Sequence, residues 1–319
     1  MASAASGSNL PLGKVLASTE KKVRDKAIKS LAAFLSENSD NEIPPSEMKR
    51  LWKGIFYCFW MSDKPLVQQA LASELAELVL TITSNTASIA FLRGFWQSMV
   101  REWNGIDQLR LDKYYMLVRR FVNAAFRLLA RAKWDADLCL EYNGVLMAKV
   151  LTLHSPMDIK VPPGLVYHLA DIYLEELDKV QNSASSENAP VPLTLVIAPL
   201  LSLSAQTMSK ITFKRLKTAA WEPLLEALSP AAEASEDEEE GERPRKRSRI
   251  DEEGTWPGLG RTSCLDDPSR GCLDKETLLK GVRRKIFDVA SDPSTRDSNR
   301  RQLYTLWKEA DSVQDSDDE

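Results

Sequence analysis

The sequence predicts an all-α protein, and three features carry that prediction. Apolar residues recur at the three- and four-residue spacing of a helix face through residues 14–228. Almost no stretch alternates with the period of two that a half-buried strand shows, so a sheet is not expected. The first, third and fifth helices open near residues 19, 64 and 107, about 43–45 residues apart. That is the period of two-helix HEAT-like or armadillo-like units. A helical solenoid and an irregular helical bundle both fit, because no residue-level repeat consensus accompanies the spacing.

The elements follow in order. "STEKKVRDKAIKSLAAFLSEN" places Val23, Ala27, Leu31, Phe34 and Leu35 on one face, with Ser18 or Thr19 available as cap. After Pro44-Pro45, Ser46 is read as the cap of a second helix. A third starts at Asp63 and Pro65 and turns Val67, Leu71, Leu75, Leu78 and Ile82 inward. A fourth runs from about Ala87 to Trp103 and a fifth from Asp107 to about Ala132. Others are expected near 135–153, 164–181, 192–204 and 207–228, the last interrupted at Pro223. Residues 1–13 read as a flexible N-terminus. Residues 229–272 are charged, rich in Pro, Gly and Ser, and read as a disordered acidic and basic linker. Helical periodicity returns in a C-terminal segment, 273–310, through Leu278, Val282, Ile286 and Val289. Residues 311–319 form an acidic tail.

The run "LWKGIFYCFWMSDKP" holds five aromatic residues between Trp52 and Trp60 in a chain that is 8% aromatic. Met48, Leu51, Trp52, Ile55, Phe56 and Phe59 recur at buried-face spacing and are assigned to core. Tyr57 and Trp60 fall on another side with Lys53 and Lys64. They are expected to pack on an adjacent helix, with base stacking between the lysines as the other reading.

Composition narrows the function classes. Hydrophobic residues make up 43% of 319, enough for a core, and no apolar run approaches the ~20 residues of a membrane span. The polar N-terminus lacks the layout of a secretory signal, so a soluble intracellular chain is expected. Cys58, Cys139, Cys264 and Cys272 are scattered, without a CxxC pair, and the two histidines stand apart. The net charge of −4 conceals a division: residues 1–228 carry 26 Lys+Arg against 23 Asp+Glu, the remainder 16 against 23.

"LWKGIFYCFWMSDKPLVQQ", followed by "FLRGFWQSMVREWNGIDQLRLDKYYMLVRR", resembles the nucleolar ribosomal RNA processing protein 1 family of large-subunit assembly factors. The likeness covers about Val15 to Val180. It is carried by Trp52, the turn Trp60 to Pro65 with Asp63 and Lys64, Arg101-Glu102-Trp103, and Asp107 with Asp112 and Lys113. "NRRQLYTLW" resembles the family's C-terminal segment. The resemblance implies a helical nucleolar factor of early large-subunit precursors, needed for maturation of the internal transcribed spacers. It also implies pre-ribosomal RNA, large-subunit ribosomal proteins and other assembly factors as partners, and no catalytic centre. Read from physics alone, Asp107 is a helix cap with a hydrophobic staple between Ile106 and Leu111, and the signature residues fix corners of a scaffold.

Catalytic chemistry finds no foothold. Glu74/Glu77 and Asp135/Asp137 sit on amphipathic helices where a solvated face explains them, and no phosphate loop, GxSxG elbow or HExxH helix occurs. The expectation is a non-enzyme without metal, cofactor, membrane or small-molecule substrate. Two binding roles remain, a ribosomal RNA scaffold and a protein-only solenoid adaptor. RNA-recognition-motif and KH signatures are missing, so sequence-specific reading is not expected. On the fifth helix Arg110, Lys113, Arg120, Arg127 and Arg131 fall in one arc about 100° wide, free of acids. This stripe is the candidate RNA surface; a solvated face and a site for an acidic protein are the alternatives.

Two linear signals complete the reading. Arg245, Lys246, Arg247 and Arg249 in "RPRKRSR" suit an import receptor, or else keep a linker soluble. Ser235 and Ser316, each followed by acids, suit an acidophilic kinase, whose phosphates would add about −1.5 to −2 charges each; an unmodified spacer is the alternative.

Overall fold

Helices follow one another along the chain, and their starts are set by proline and by short polar caps. The structure, a computed structural model, describes residues 12–37, 43–151, 161–183, 189–229 and 256–309. These fall into two units: residues up to Ala132 with Leu140–Val166, and Lys133–Cys139 with residues from Tyr167 onward.

The first unit contains α1 (Leu12–Leu16), α2 (Lys21–Glu37), α3 (Pro45–Trp60), α4 (Pro65–Thr81), α5 (Asn85–Glu102) and α6 (Gln108–Arg131). Pro45 and Pro65 open α3 and α4, where the ring's fixed φ suits the first turn and the missing N–H costs nothing. Two cap expectations need correction. Pro44 and Lys64 take the cap positions, and neither Ser46 nor Asp63 caps its helix through a side chain. Ser84 and Asp107 do cap α5 and α6, accepting from the amides of Ala87 and Arg110.

Each helix here packs on the second one along. The pairs α1–α3 and α3–α5 form one row, α2–α4 and α4–α6 the other, and α3–α4, α4–α5 and α5–α6 join the rows. This is the layering of an α-solenoid. The second row starts at Lys21, Pro65 and Gln108, so the spacing read from the sequence is that of its members. Backbones approach closely at Gly54, where a Cβ would stand 2.5 Å from the Gly13 carbonyl oxygen, which explains a bare position on the α1–α3 seam. Between the rows lies an aromatic core. The Trp52 ring meets Phe91, Phe95 and Phe121 at centroid distances of 4.6, 5.5 and 5.6 Å, and Phe95 stacks on Phe121 at 4.0 Å.

α7 (Ala136–Lys149) and α8 (Pro163–Ser183) follow. The second unit continues with α9 (Leu193–Val196), α10 (Ala198–Gln206), α11 (Lys210–Leu216), α12 (Glu222–Leu228), α13 (Pro257–Arg261), α14 (Lys275–Ser291) and α15 (Asp297–Glu309). It is an irregular bundle centred on α14, against which α9, α10, α12, α13 and α15 all pack. The C-terminal segment is therefore part of this bundle. The expected break at Pro223 is present in an altered form. Lys217–Trp221 winds as a π-helix and Pro223 sits in the first turn of α12. The wide turn accommodates a residue that has no N–H and would press on the carbonyl behind it.

The linker expected through residue 272 is corrected at its C-terminal end. Residues 256–272 are folded: Ser263–Cys264 (β2) pairs in parallel with Val191–Pro192 (β1), a ladder where no sheet was expected. Leu259 and Cys264 are buried. Asp178 of α8 secures the segment by accepting the Leu259 amide at 3.0 Å, with its other oxygen on Asn182 at 2.7 Å. Acting from another helix, it does for α13 what an N-cap would do.

Candidate functional site

The signature residues converge where α6 meets the ends of α3 and α4. Lys113 is central. Its side chain is only 5% exposed, and Nζ donates to the carbonyl oxygens of Ser62, Trp60 and Phe59 at 2.7, 2.8 and 3.0 Å. These oxygens belong to the C-terminal end of α3, where orphan carbonyls and the helix dipole favour a cation. Burial pulls the Lys113 ammonium down to about 8, against the charge of nearby Asp63, which favours the protonated form. Ser62 Oγ donates to the Phe59 carbonyl at 2.9 Å, and Gln68 Nε2 to that of Ser62 at 2.9 Å. One turn inward, the Tyr114 hydroxyl donates to the Phe56 carbonyl at 3.0 Å, and its ring stacks on Phe56 at 4.8 Å.

Asp107 caps α6 at the Arg110 amide, 3.1 Å, and its second oxygen accepts from the Arg110 guanidinium. Those contacts hold its carboxyl below the usual range. The same guanidinium lies 4.7 Å above the Trp60 ring. Trp60 also packs toward Phe56 and Tyr114, as expected of a ring facing an adjacent helix, while Tyr57 meets Phe56 of its own helix. At the neighbouring corner Arg101 pairs with Glu102 at 2.6 Å, and buried Trp103 meets Tyr115 at 5.4 Å. Asp63, Lys64, Pro65 and Asp112 are exposed around this frame, and Leu109 is 95% exposed at its edge.

Most of the basic stripe is thus engaged by other groups of the fold, although only Lys113 is buried. Lys113 is buried, and Arg110 is engaged by Asp107 and Trp60. Arg131 donates to the Leu80 carbonyl at 2.8 Å, to that of Ile82 at 3.2 Å and to Asn85 at 3.3 Å, closing the C-terminal end of α4. Arg127 forms a two-point pair with the Glu77 carboxylate, half open to solvent. Arg120 alone of the five is exposed without a described partner. The missing acids on the arc have a physical reason: the partners of Lys113 and Arg131 are backbone carbonyls. Lys113 is withdrawn from the RNA surface on this geometry. The carbonyl-capping roles of Lys113, Arg131 and Tyr114 were not read from the sequence. Lone cations bordering a core face, one at each end of the helix, were the available signal.

Among the described residues no group of three or more His, Cys, Asp or Glu could hold a metal ion, and no helix is long and apolar enough to cross a membrane. Asp135 caps α7 at the Leu138 amide, 3.0 Å. Burial pushes the thiols of Cys58 and Cys264 up to about 11 and Cys139 up to about 12, far from thiolate reactivity. A cleft of about 380 Å³ between α2, α3 and α4 is lined by Arg24, Cys58, Ser62, Leu71 and Glu74 among others. Ser235, Ser316, Arg245, Lys246, Arg247 and Arg249 lie outside the described residues, as does the acidic tail.

The sequence profile of the family described as "Nucleolar protein, Nop52" matches residues 7–307. The chain is 34% identical over 305 residues to the human protein named ribosomal RNA processing protein 1 homolog B, covering 93% of this chain and 38% of that protein. It is 30% identical over 327 residues to the mouse homolog B, covering 96% and 44%. It is 31% identical over 324 residues to the human homolog A, covering 93% and 69%. The chain spans less than half the length of both B homologues. Matched along nearly its whole length, it belongs to the nucleolar protein Nop52 family.

Proposed function

We propose that the chain is a non-catalytic ribosome-biogenesis factor of the nucleolus that binds early large-subunit precursors and supports pre-ribosomal RNA processing at the internal transcribed spacers. The observation that carries this reading is the family match through residues 7–307, among relatives named for ribosomal RNA processing. The physical build agrees with such a role. Cations and hydroxyls of the first unit fix its helix ends, and its exposed residues are left to meet partners. Pre-ribosomal RNA, large-subunit ribosomal proteins and other assembly factors are the partners expected. Arg245, Lys246, Arg247 and Arg249 are the proposed import-receptor segment, and Ser235 and Ser316 the proposed phosphorylation sites.

Direct RNA contact in this reading falls to Arg120 and Arg127, whose guanidinium groups reach solvent. Arg127 can exchange an exposed carboxylate for a phosphate at little cost, because exposed ion pairs contribute under about 1 kcal/mol. Charge reversal of both, Arg120→Glu with Arg127→Glu, is expected to weaken RNA binding and to lower its salt slope by about 0.7 per lost single-strand contact. Precursor co-sedimentation and spacer cleavage should fall with it. The protein-only adaptor reading is favoured by one observation, the internal engagement of Arg110, Lys113 and Arg131. It predicts wild-type RNA affinity in that double variant, with precursor association retained. Loss of the chain without any spacer-processing defect would overturn the function itself.

A further inference from the structure

The corner between α10 and α11 presents apolar and cationic side chains together. Along α11, Thr212, Phe213 and Leu216 face the core, while Lys210, Ile211, Lys214 and Arg215 face solvent. At 100° per residue the four exposed positions lie within an arc of about 140°. Ile211 is 70% exposed, and Met208, just before the Ser209 cap, is 60% exposed. The corner is pinned from α15: Asn299 Nδ2 donates to the carbonyls of Ala205 and Thr207 at 3.2 and 2.7 Å. The Arg296 amide donates to Ala205 at 3.2 Å, which sets the exposed Arg296 beside the same loop. Arg215 pairs with Asp171. Lys210, Lys214 and Arg296 pair with no described carboxylate.

We infer that this corner docks an acidic amphipathic helix of a partner protein. Two large apolar side chains held in water on a fixed corner are explained by a partner that covers them. Lys210 and Lys214 on the same arc, and Arg296 at the loop, none of them paired with a described carboxylate, select the partner's charge. A phosphate backbone would meet the cations and leave Met208 and Ile211 wet, so the apolar pair favours a peptide over RNA. An amphipathic helix that places leucine or phenylalanine on Ile211 and Met208, and carboxylates toward Lys210, Lys214 and Arg296, satisfies both at once. The inference does not rest on RNA contact at α6.

The test uses the full chain and fluorescent synthetic helices about four turns long, with leucine or phenylalanine on one face and glutamate or aspartate on the other. Controls are the same helices with Gln and Asn for the acids, and oligo-uridine RNA. Saturable binding of the acidic helices is expected, weakened at least tenfold by Met208→Ser with Ile211→Ser, and likewise by Lys210→Ser, Lys214→Ser and Arg296→Ser together. All five side chains are exposed, so circular dichroism and Tm should match the parent. Oligo-uridine binding should be unchanged in these variants, whereas Arg120→Glu with Arg127→Glu should leave the helices bound. The inference is overturned by a lack of saturable helix binding, by equal binding of the neutral helices, or by variants that lower RNA binding alone.

Discussion

The ammonium of Lys113 lies 2.7 Å from the carbonyl oxygen of Ser62, fifty-one positions earlier in the chain. It joins the first turns of α6 to the end of α3 through backbone, independent of which side chains line that corner. Lys113→Met keeps most of the aliphatic stem and removes the donor to three carbonyls. The Phe59 and Ser62 carbonyls keep Ser62 Oγ and Gln68 Nε2 as donors, while the Trp60 carbonyl loses the one donor described for it. An unsatisfied acceptor costs about 1–3 kcal/mol, and urea unfolding should show a loss of that order. A midpoint equal to the parent's would mean that water replaces the ammonium freely.

The same lysine makes stability depend on pH in a stated direction. Its folded pKa is pulled down to about 8 by burial, below an unfolded value of about 10.4. Between those values the unfolded chain binds more protons, so this group's contribution to stability rises with pH across that window. The stability difference between the parent and Lys113→Met should therefore widen in the parent's favour from pH 8 to 10. Side-chain nitrogen NMR should place the Lys113 titration well below that of the exposed lysines. A midpoint above 10 contradicts the burial argument.

Gly94 has no room for a methyl group. A Cβ there would stand 2.4 Å from Cδ1 and Nε1 of Trp52, whose ring is fixed by Phe91, Phe95 and Phe121. Gly94→Ala should destabilise the first unit by about 1–3 kcal/mol through overpacking, despite alanine's better helix propensity. Near-ultraviolet circular dichroism should change with it. A neutral or stabilised variant would show that Trp52 has a second rotamer to move to.

How much of this was legible follows from how local each interaction is. The core faces of α3 and α6 and the Asp107 cap were readable, because partners three or four positions apart leave a periodic trace. Periodicity alone puts Lys113 and Arg131 on a surface arc, since a helical wheel shows which residues share an arc and not which carbonyls a long side chain reaches. The folded end of the linker is hard to read from sequence for a different reason. Leu259 and Cys264 are few apolar anchors beside a long charged run, and Asp178, which accepts the Leu259 amide, lies about eighty positions away. Exposure at Leu109, Met208 and Ile211 was likewise hidden, because an apolar residue in a helix is expected inside.

Asp178 gives a direct test of that hidden segment. Its carboxylate is raised above the usual range by burial, although the amides of Leu259 and Gly258 pull the other way. Asp178→Ala should cost about 1–3 kcal/mol by orphaning the start of α13. Hydrogen exchange should accelerate through Pro257–Cys264 and in the paired Val191 amide, which donates to the Thr262 carbonyl. Unchanged protection there would show that Leu259 and Cys264 hold the segment by burial alone.

Arg127 and Arg131 stand one turn apart on α6 and should behave oppositely. Arg131 serves backbone carbonyls at the end of α4. Arg127 meets a flexible carboxylate in solvent. Arg131→Gln should therefore cost about 1 kcal/mol of stability and leave RNA affinity at the parent's level once the folded fraction is equalised. Arg127→Gln should change stability by about 0.5 kcal/mol or less, yet lower RNA affinity and its salt slope. Thermal unfolding and RNA titrations at several salt concentrations read the two quantities separately. If Arg131→Gln proves neutral in stability and Arg127→Gln neutral toward RNA, the division of α6 into structural and phosphate-facing cations is wrong.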